Sequence, residues 1–142
     1  MQENILYTGV DSSVEMLNVL RSKFPEQHVQ TLNIDVEKED VSSLEYNFVI
    51  SQMAFHHLQN PMAVLKKLKK KTPVKIAIID LDKEDGSFHP DPQGMGVRHF
   101  GFSKSEIQKW ADEAGLTLQH YQIINTIHKN DNKYPQFLAV LG

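Results

Sequence analysis

Cysteine is absent from this sequence of 142 residues, which excludes a disulfide framework, a zinc ribbon and thiol catalysis. No apolar run approaches the roughly 18–20 residues that span a bilayer, and no basic and apolar signal segment opens the chain. The net charge of −3 gives no general attraction to nucleic acid or acidic membranes. We therefore expect a single cytoplasmic domain over residues 1–142 that has neither a nucleic-acid nor a membrane partner.

Glycine is scarce in the first half of the chain, where Gly9 is the only one before Gly86. In dinucleotide-binding folds, a glycine-rich turn lets the backbone approach the ligand, and an acidic residue follows about 20 residues later. Only ten residues precede Asp11, the first acidic residue that closes a strand pattern. The given sequence therefore holds no such turn before Asp11.

What the sequence does contain is an alternation of strand and helix patterns. The predicted strands are residues 5–10, 28–34, 48–51, 75–81, 118–127 and 137–141. The predicted helices are residues 14–24, 61–71 and 103–114. The patterns at 48–51 and 75–81 are apolar on both faces, as in a buried parallel sheet. This order predicts an α/β fold with a mostly parallel sheet and an antiparallel hairpin around residues 130–132.

Helix starts carry capping signals. A serine followed three residues later by a glutamate predicts a capping box in two places, Ser12 with Glu15 and Ser103 with Glu106. The middle helix begins at Asn60-Pro61, a capping amide followed by proline at the first helical position. The lysines within residues 66–71 indicate a solvated helix face in preference to a nucleic-acid patch.

The first predicted strand closes on the carboxylate of Asp11. Ligands of open α/β sheets bind outside the carboxyl ends of the strands, where a carboxylate can accept hydrogen bonds from ribose hydroxyls. An alternative is that Asp11 only caps the following helix. The words Gly-Val-Asp-Ser-Ser and Glu-Met-Leu, within residues 9–17, resemble the second strand and following helix of class I S-adenosylmethionine-dependent methyltransferases of the small-molecule type.

The resemblance covers essentially the whole chain and implies a Rossmann-like methyltransferase sheet that binds S-adenosylmethionine and a small-molecule acceptor. By the resemblance, Asp11 and Ser12 hold the cofactor ribose, and Asp35 and Val36 border the adenine. The segment that begins with Ser51 and Gln52 would lie under the methionine part of the cofactor. Asp35 could equally be a turn residue at the start of a loop.

The histidines are the candidates for acid–base chemistry, because an imidazole titrates near neutrality. The resemblance implies that residues 51–58 lie near the substrate and that the long loop at 86–103 shapes the acceptor pocket. We predict His56, His89 and His99 as catalytic residues and His57 as a packed core histidine. No metal site is predicted, since the spacing of the possible ligands matches no tight motif: Asp80, Asp82, His89 and His99.

The resemblance also implies that the first strand, glycine-rich loop and first helix of the family are missing from this sequence, so that the cofactor site is incomplete. We then expect weak binding of S-adenosylmethionine and a sheet that lacks its central strand. Strands 5–10 and 48–51 could pair directly, or a second copy or partner chain could complete the sheet. The alternative function is a non-catalytic remnant or partner subunit with a methyltransferase-like fold.

Overall fold

The computed structural model describes residues 5–25, 29–70 and 73–142, and their elements follow the predicted order. They are β1 (Tyr7–Asp11), α1 (Val14–Lys23), β2 (Val29–Asn33), β3 (Phe48–Gln52), a short 3-10 helix (Phe55–His57), α2 (Pro61–Leu68), β4 (Lys75–Leu81), α3 (Lys104–Ala114), β5 (Leu118–Lys129) and β6 (Asn132–Leu141). His28 and Lys71, where a strand and a helix were predicted to begin and end, lie outside the described residues. The chain divides into two compact units, Met1–Val41 and Ser42–Gly142.

The first unit is a β-α-β arrangement. Strands β1 and β2 pair in parallel, with Asp11 opposite Asn33, and α1 provides the crossover that a parallel pair requires. A Cβ atom at Gly9 would collide with the side chain of Leu20 on α1. Glycine at this position therefore lets the helix pack closely on the first strand.

Helix α1 begins at Val14, as the sequence predicted, but its N-cap is one residue later than predicted, so the capping box of Ser12 and Glu15 is wrong. The N-cap is Ser13, whose Oγ accepts a hydrogen bond from the Met16 N–H at 3.3 Å. The physical reason is Asp11, whose Oδ1 accepts from the Ser13 N–H at 2.8 Å. This hydrogen bond closes a short turn from Asp11 to Ser13, so that Ser13 becomes the N-cap in place of Ser12.

The second unit contains a four-stranded sheet in the order β3-β4-β6-β5. Strands β3 and β4 are parallel, whereas β6 is antiparallel to both β4 and β5. Asn130 and Asp131 form the tight turn of the β5–β6 hairpin with φ angles of 51° and 60°, which asparagine and aspartate tolerate better than most residues. The predicted α/β fold with an antiparallel C-terminal hairpin is confirmed.

The core of the second unit lies between β4 and α3. The best-covered side chains of this cluster are those with no exposed surface: Leu65, Ile76, Ile78, Ile107, Ala111, Phe137, Ala139 and Leu141. Helix α3 has the predicted capping box of Ser103 and Glu106 and ends at Gly115, whose φ of 70° suits glycine. None of the helices in the described part of the chain is long and apolar enough to cross a membrane.

Strand β3 is buried on one face only, so the prediction that both of its faces are covered is wrong. Val49 packs against the core, but Phe48 and Ile50 are 54% and 63% exposed. The reason lies in the topology, because β3 is an edge strand of the four-stranded sheet. Its direct pairing with the first strand is not among the strand pairs of the described residues.

Candidate functional site

Two predicted cofactor residues, Asp11 and Asp35, lie at or just beyond the carboxyl ends of β1 and β2, and ligands of open α/β sheets bind at such ends. Asp11 ends β1 and is partly buried. Its backbone carbonyl accepts hydrogen bonds from the Ile34 N–H and the Asn33 amide, each at 3.1 Å. Because its carboxylate also accepts from the Ser13 N–H, the capping alternative is present, and the ribose role stays a prediction.

Asp35, after β2, organises a tight turn. Its Oδ1 accepts from the Glu37 N–H at 3.0 Å, and Oδ2 lies 3.9 Å from the Lys38 ammonium. This geometry fits the turn-residue alternative for Asp35. Ser12 is exposed and Val36 is partly buried, and their contacts with a cofactor, like that of Asp35, stay predictions.

In the second unit, Ser51 and Gln52 end β3, and the chain then turns sharply at Met53. Met53 has a φ of 53°, a left-handed conformation that costs a non-glycine residue of order 1–3 kcal/mol, and such strain concentrates at functional sites. Its N–H donates to the Ile79 carbonyl at 2.8 Å. The turn directs the chain into the 3-10 helix Phe55–His57, which carries two neighbouring histidines.

A buried histidine–aspartate pair joins this helix to β4. His56 and Asp80 are 2% and 0% exposed, and the Nδ1–H of His56 donates to Asp80 Oδ1 at 2.8 Å. The Asp80 carboxylate also accepts from the His56 and Leu81 backbone N–H groups at 3.1 and 2.8 Å. The orientation of the His56 ring is thereby fixed. Its Nε2 atom is buried and has no hydrogen-bond partner among the described residues, an arrangement that costs about 1–3 kcal/mol.

Three imidazoles meet beside this pair: His56, His57 and His89. The ring centroid of His56 lies 4.3 Å from that of His57 and 5.1 Å from that of His89. The centroids of His57 and His89 are 6.1 Å apart. One ring nitrogen from each histidine lies within 4.8 Å of the other two. His57 is exposed, and its Nδ1–H donates to the Gly96 carbonyl at 3.0 Å. We call these three residues the histidine cluster.

The environment of His89 favours its neutral form. Burial is the main cause that lowers the pKa of His89, and electrostatic repulsion from the neighbouring His56, His57 and Lys129 lowers the pKa further. Glu84 acts in the opposite direction. The Nδ1 atom of His89 is buried and has no hydrogen-bond partner in the described part of the molecule. A neutral imidazole of this kind can accept a proton or bind a metal ion.

The long loop between β4 and α3 is fastened to the 3-10 helix. The backbone N–H groups of Arg98 and His99 both donate to the His56 carbonyl, at 2.8 and 3.1 Å. The His99 ring lies outside the histidine cluster, because its Nε2–H donates to the Leu58 carbonyl at 2.9 Å. An open cavity of about 460 Å³ lies among the loop residues, and one of the residues that line it is Gly96, the partner of His57.

The structure changes which histidine belongs to the core. The sequence predicted a packed His57, whereas His56 is the buried residue and His57 is exposed. Of the predicted catalytic histidines, His56 and His89 come together and His99 lies apart. Asp80 was missed as the partner of His56, although a lone carboxylate inside the apolar strand β4 was a signal, because buried charges are almost always paired.

Sequence comparison gives the family. A profile of the methyltransferase domain family matches residues 2–72. An uncharacterized methyltransferase of Schizosaccharomyces pombe is 28% identical over 127 residues, an alignment that covers 77% of this chain and 45% of the relative. The chain thus spans less than half the length of that curated relative.

Structural comparison gives the same fold. An S-adenosylmethionine-dependent methyltransferase from Mesorhizobium loti is 12% identical, with a TM-score of 0.72 over 96% of this chain and 80% of its own. The N-terminal domain of EvdMO1, solved with S-adenosylhomocysteine bound, is 17% identical. Its TM-score is 0.68, and the match covers 98% of this chain and 65% of that domain's chain. A chain from a Haloferax volcanii complex that contains a methyltransferase activator is 16% identical, with a TM-score of 0.74 over 94% and 70%. Since the family profile covers half of the residues and the fold agrees with it, the chain belongs to the methyltransferase domain family.

Proposed function

We propose that this chain serves S-adenosylmethionine-dependent methyl transfer to a small-molecule acceptor. The observation that carries the proposal is the position of Asp11, a partly buried carboxylate at the carboxyl end of a parallel strand. Membership of the methyltransferase domain family and the fold shared with a neighbour that binds S-adenosylhomocysteine support it. A cytoplasmic location belongs to the same proposal, because a cysteine-free sequence suits a reducing compartment.

The proposed cofactor contacts lie at or just beyond the carboxyl ends of parallel strands. Asp11 and Ser12 accept hydrogen bonds from the ribose, and Asp35 and Val36 border the adenine. Ser51 and Gln52 lie along the methionine part. Because the given residues contain no glycine-rich turn before Asp11, we expect the affinity of this chain alone for the cofactor to be weak.

The proposed chemistry is a single displacement. The acceptor atom bonds to the methyl carbon while the bond between that carbon and the sulfonium sulfur breaks, and the acceptor loses a proton when it carries one. His56, His89 and His99 are the proposed proton acceptors, and Asp80 orients His56. The small-molecule class of the acceptor is part of the proposal and follows from the resemblance of the sequence.

Calorimetric titration of the full chain with S-adenosylhomocysteine tests the cofactor site. We expect weak binding that Asp11→Asn reduces by about tenfold or more, because hydrogen bonds to a charged group contribute about 1.5–3 kcal/mol. The matched control is Asp131→Asn, the same substitution at an exposed hairpin turn. Equal affinities for the two variants would contradict the ribose role. Low-micromolar binding by the unmodified chain would contradict the incomplete site.

The alternative is a non-catalytic partner subunit with a methyltransferase-like fold. It is favoured by the strand pairing, since the described residues form two sheets instead of one. Under either function we propose that two copies of the chain associate through the edge of β3, where Phe48 and Ile50 are exposed.

Sedimentation velocity at high concentration tests the association. We expect a dimer that Ile50→Lys shifts toward the monomer, because a lysine on an edge strand opposes pairing with a second copy of that strand. Ile124→Lys, at another exposed isoleucine, on β5, should leave the dimer intact. A monodisperse monomer of the unmodified chain would argue against self-association.

A further inference from the structure

We propose that the histidine cluster binds a divalent transition-metal ion of the zinc class, through one imidazole nitrogen each from His56, His57 and His89. The three residues belong to the second unit and come from the 3-10 helix and the loop after β4. Metal binding goes beyond the proposed methyl transfer and does not depend on it. The site was not predicted from the sequence, because the three histidines have no ligand spacing in the chain.

Hydrogen bonds fix two of the three rings in the form that a metal ion requires. The Nδ1–H of His56 donates to the Asp80 carboxylate, and the Nδ1–H of His57 donates to the Gly96 carbonyl. Since a neutral imidazole carries one proton, each ring keeps the lone pair on its Nε2 atom. Metal-bound histidines almost always make such a second bond to a carboxylate or a backbone carbonyl, which orients the ring and raises its basicity.

Two nitrogens in the cluster are buried and lack a partner. The Nε2 atom of His56 and the Nδ1 atom of His89 make no hydrogen bond within the described residues, and both are inaccessible to solvent. His56 itself is 2% exposed. Buried polar atoms are nearly always satisfied, and each exception calls for an explanation such as an ion. A metal ion between the two nitrogens satisfies both.

The separation of the rings suits three ligands of one ion after a small adjustment. With metal–nitrogen bonds of about 2.0–2.1 Å, tetrahedral ligands have nitrogens roughly 3.3 Å apart. One ring nitrogen of each histidine lies within 4.8 Å of those of the other two, so an approach of at most about 1.5 Å is required, and the exposed His57 is the ring best able to make it. Three protein ligands leave a fourth position open, as in zinc sites that bind water or a substrate.

The Nε2 atom of His56 can bind a metal ion or accept a proton from the acceptor, but it cannot do both at once. Where the metal is bound, it takes the place of direct proton transfer by His56. A metal-bound acceptor hydroxyl loses its proton more readily, as metal-bound water does. This consequence rests on the proposed function, whereas binding of the ion is tested without any methyl transfer.

The experiment is titration of the metal-free full chain with zinc chloride and with cobalt chloride, followed by calorimetry and by the visible absorption of cobalt. We expect one ion per chain and a cobalt spectrum of a four-coordinate nitrogen-rich site. His57→Gln and His89→Gln should each lower the affinity by at least about tenfold. Asp80→Asn, which disturbs the orientation of His56, should lower it by about 10- to 100-fold.

The matched control is His128→Gln, at an exposed histidine of β5 outside the cluster, which should leave the affinity unchanged. Circular dichroism on every variant shows whether the fold is retained when metal binding is lost. If a variant of a buried residue does not fold, His57→Gln still tests the site, because His57 is exposed. Metal binding that His57→Gln and His89→Gln leave intact, or no binding at all, would overturn the proposal.

Discussion

The two units of the chain bury their apolar residues very differently. In the unit Ser42–Gly142, thirteen buried residues form a continuous core around β4 and α3. In the described part of the unit Met1–Val41, the buried hydrophobic residues are Leu17 and Val41. Leu6 beside β1 is 86% exposed, and Tyr7 within it is 57% exposed. The second unit thus has a core of its own, whereas the elements of the first depend on local signals.

The two units should therefore differ in stability and in the strained groups that they can hold. Elements with few buried apolar contacts open at lower free energies than the core of a protein. We therefore expect the β-α-β arrangement of the first unit to open before the second unit unfolds. The strained and buried groups, Met53, His56 and Asp80, all belong to the unit that has a core, because only a packed environment can hold them in place.

The largest expected effect breaks the core of the second unit. Phe137→Ala should lower the free energy of unfolding by about 3–5 kcal/mol, since the side chain is fully buried and its removal leaves a cavity. The matched control is Phe48→Ala, at an exposed position of β3, which should change the free energy of unfolding by less than about 0.5 kcal/mol at protein concentrations that keep the chain monomeric. Urea unfolding measures both. Similar losses for the two variants would contradict the described core.

A smaller effect concerns the start of α1. Ser13→Ala should destabilise the helix by about 1 kcal/mol, because the Met16 N–H loses its acceptor. Ser12→Ala, one residue earlier, should have no such effect. Hydrogen exchange of the α1 amides measures the change locally, where global unfolding would miss it. Faster exchange in Ser12→Ala than in Ser13→Ala would restore the capping box predicted from the sequence.

The smallest expected effect is a pH dependence confined to the second unit. Because the pKa of His89 is lowered in the folded chain, the unfolded chain binds the proton more tightly. The free energy of unfolding should therefore fall as the pH drops through about 6.5, the ordinary value for histidine. The decrease in the free energy of unfolding should be smaller in His89→Gln and unchanged in His128→Gln. Urea unfolding midpoints at about pH 7.5 and 5.5 measure this decrease for each protein. A fall of the same size in all three proteins would contradict the environment described for His89.

Much of the fold could be predicted from local patterns. The bounds of β4 are the predicted residues 75–81, the start of α2 follows from Asn60-Pro61, and the capping box and Gly115 define α3. These signals act within a few residues, so the sequence alone displays them. The predicted cap at Ser12 was wrong because the Asp11 carboxylate binds the Ser13 N–H and moves the N-cap to Ser13. The predicted burial of β3 was wrong because its exposure depends on the strand order of the sheet.

The order of the elements and the resemblance that the family profile confirmed could be predicted from the sequence alone, because caps, turns and periodicity are local properties of the chain. Only the tertiary structure decided which histidine is buried, that Asp80 is its partner and that His89 joins the cluster. These residues are separated by 24 and 33 positions from His56, and only the pairing of β3 with β4 and the path of the following loop bring them together. Contacts of that range leave no periodic pattern along the chain, since they depend on packing between elements and not on spacing within one.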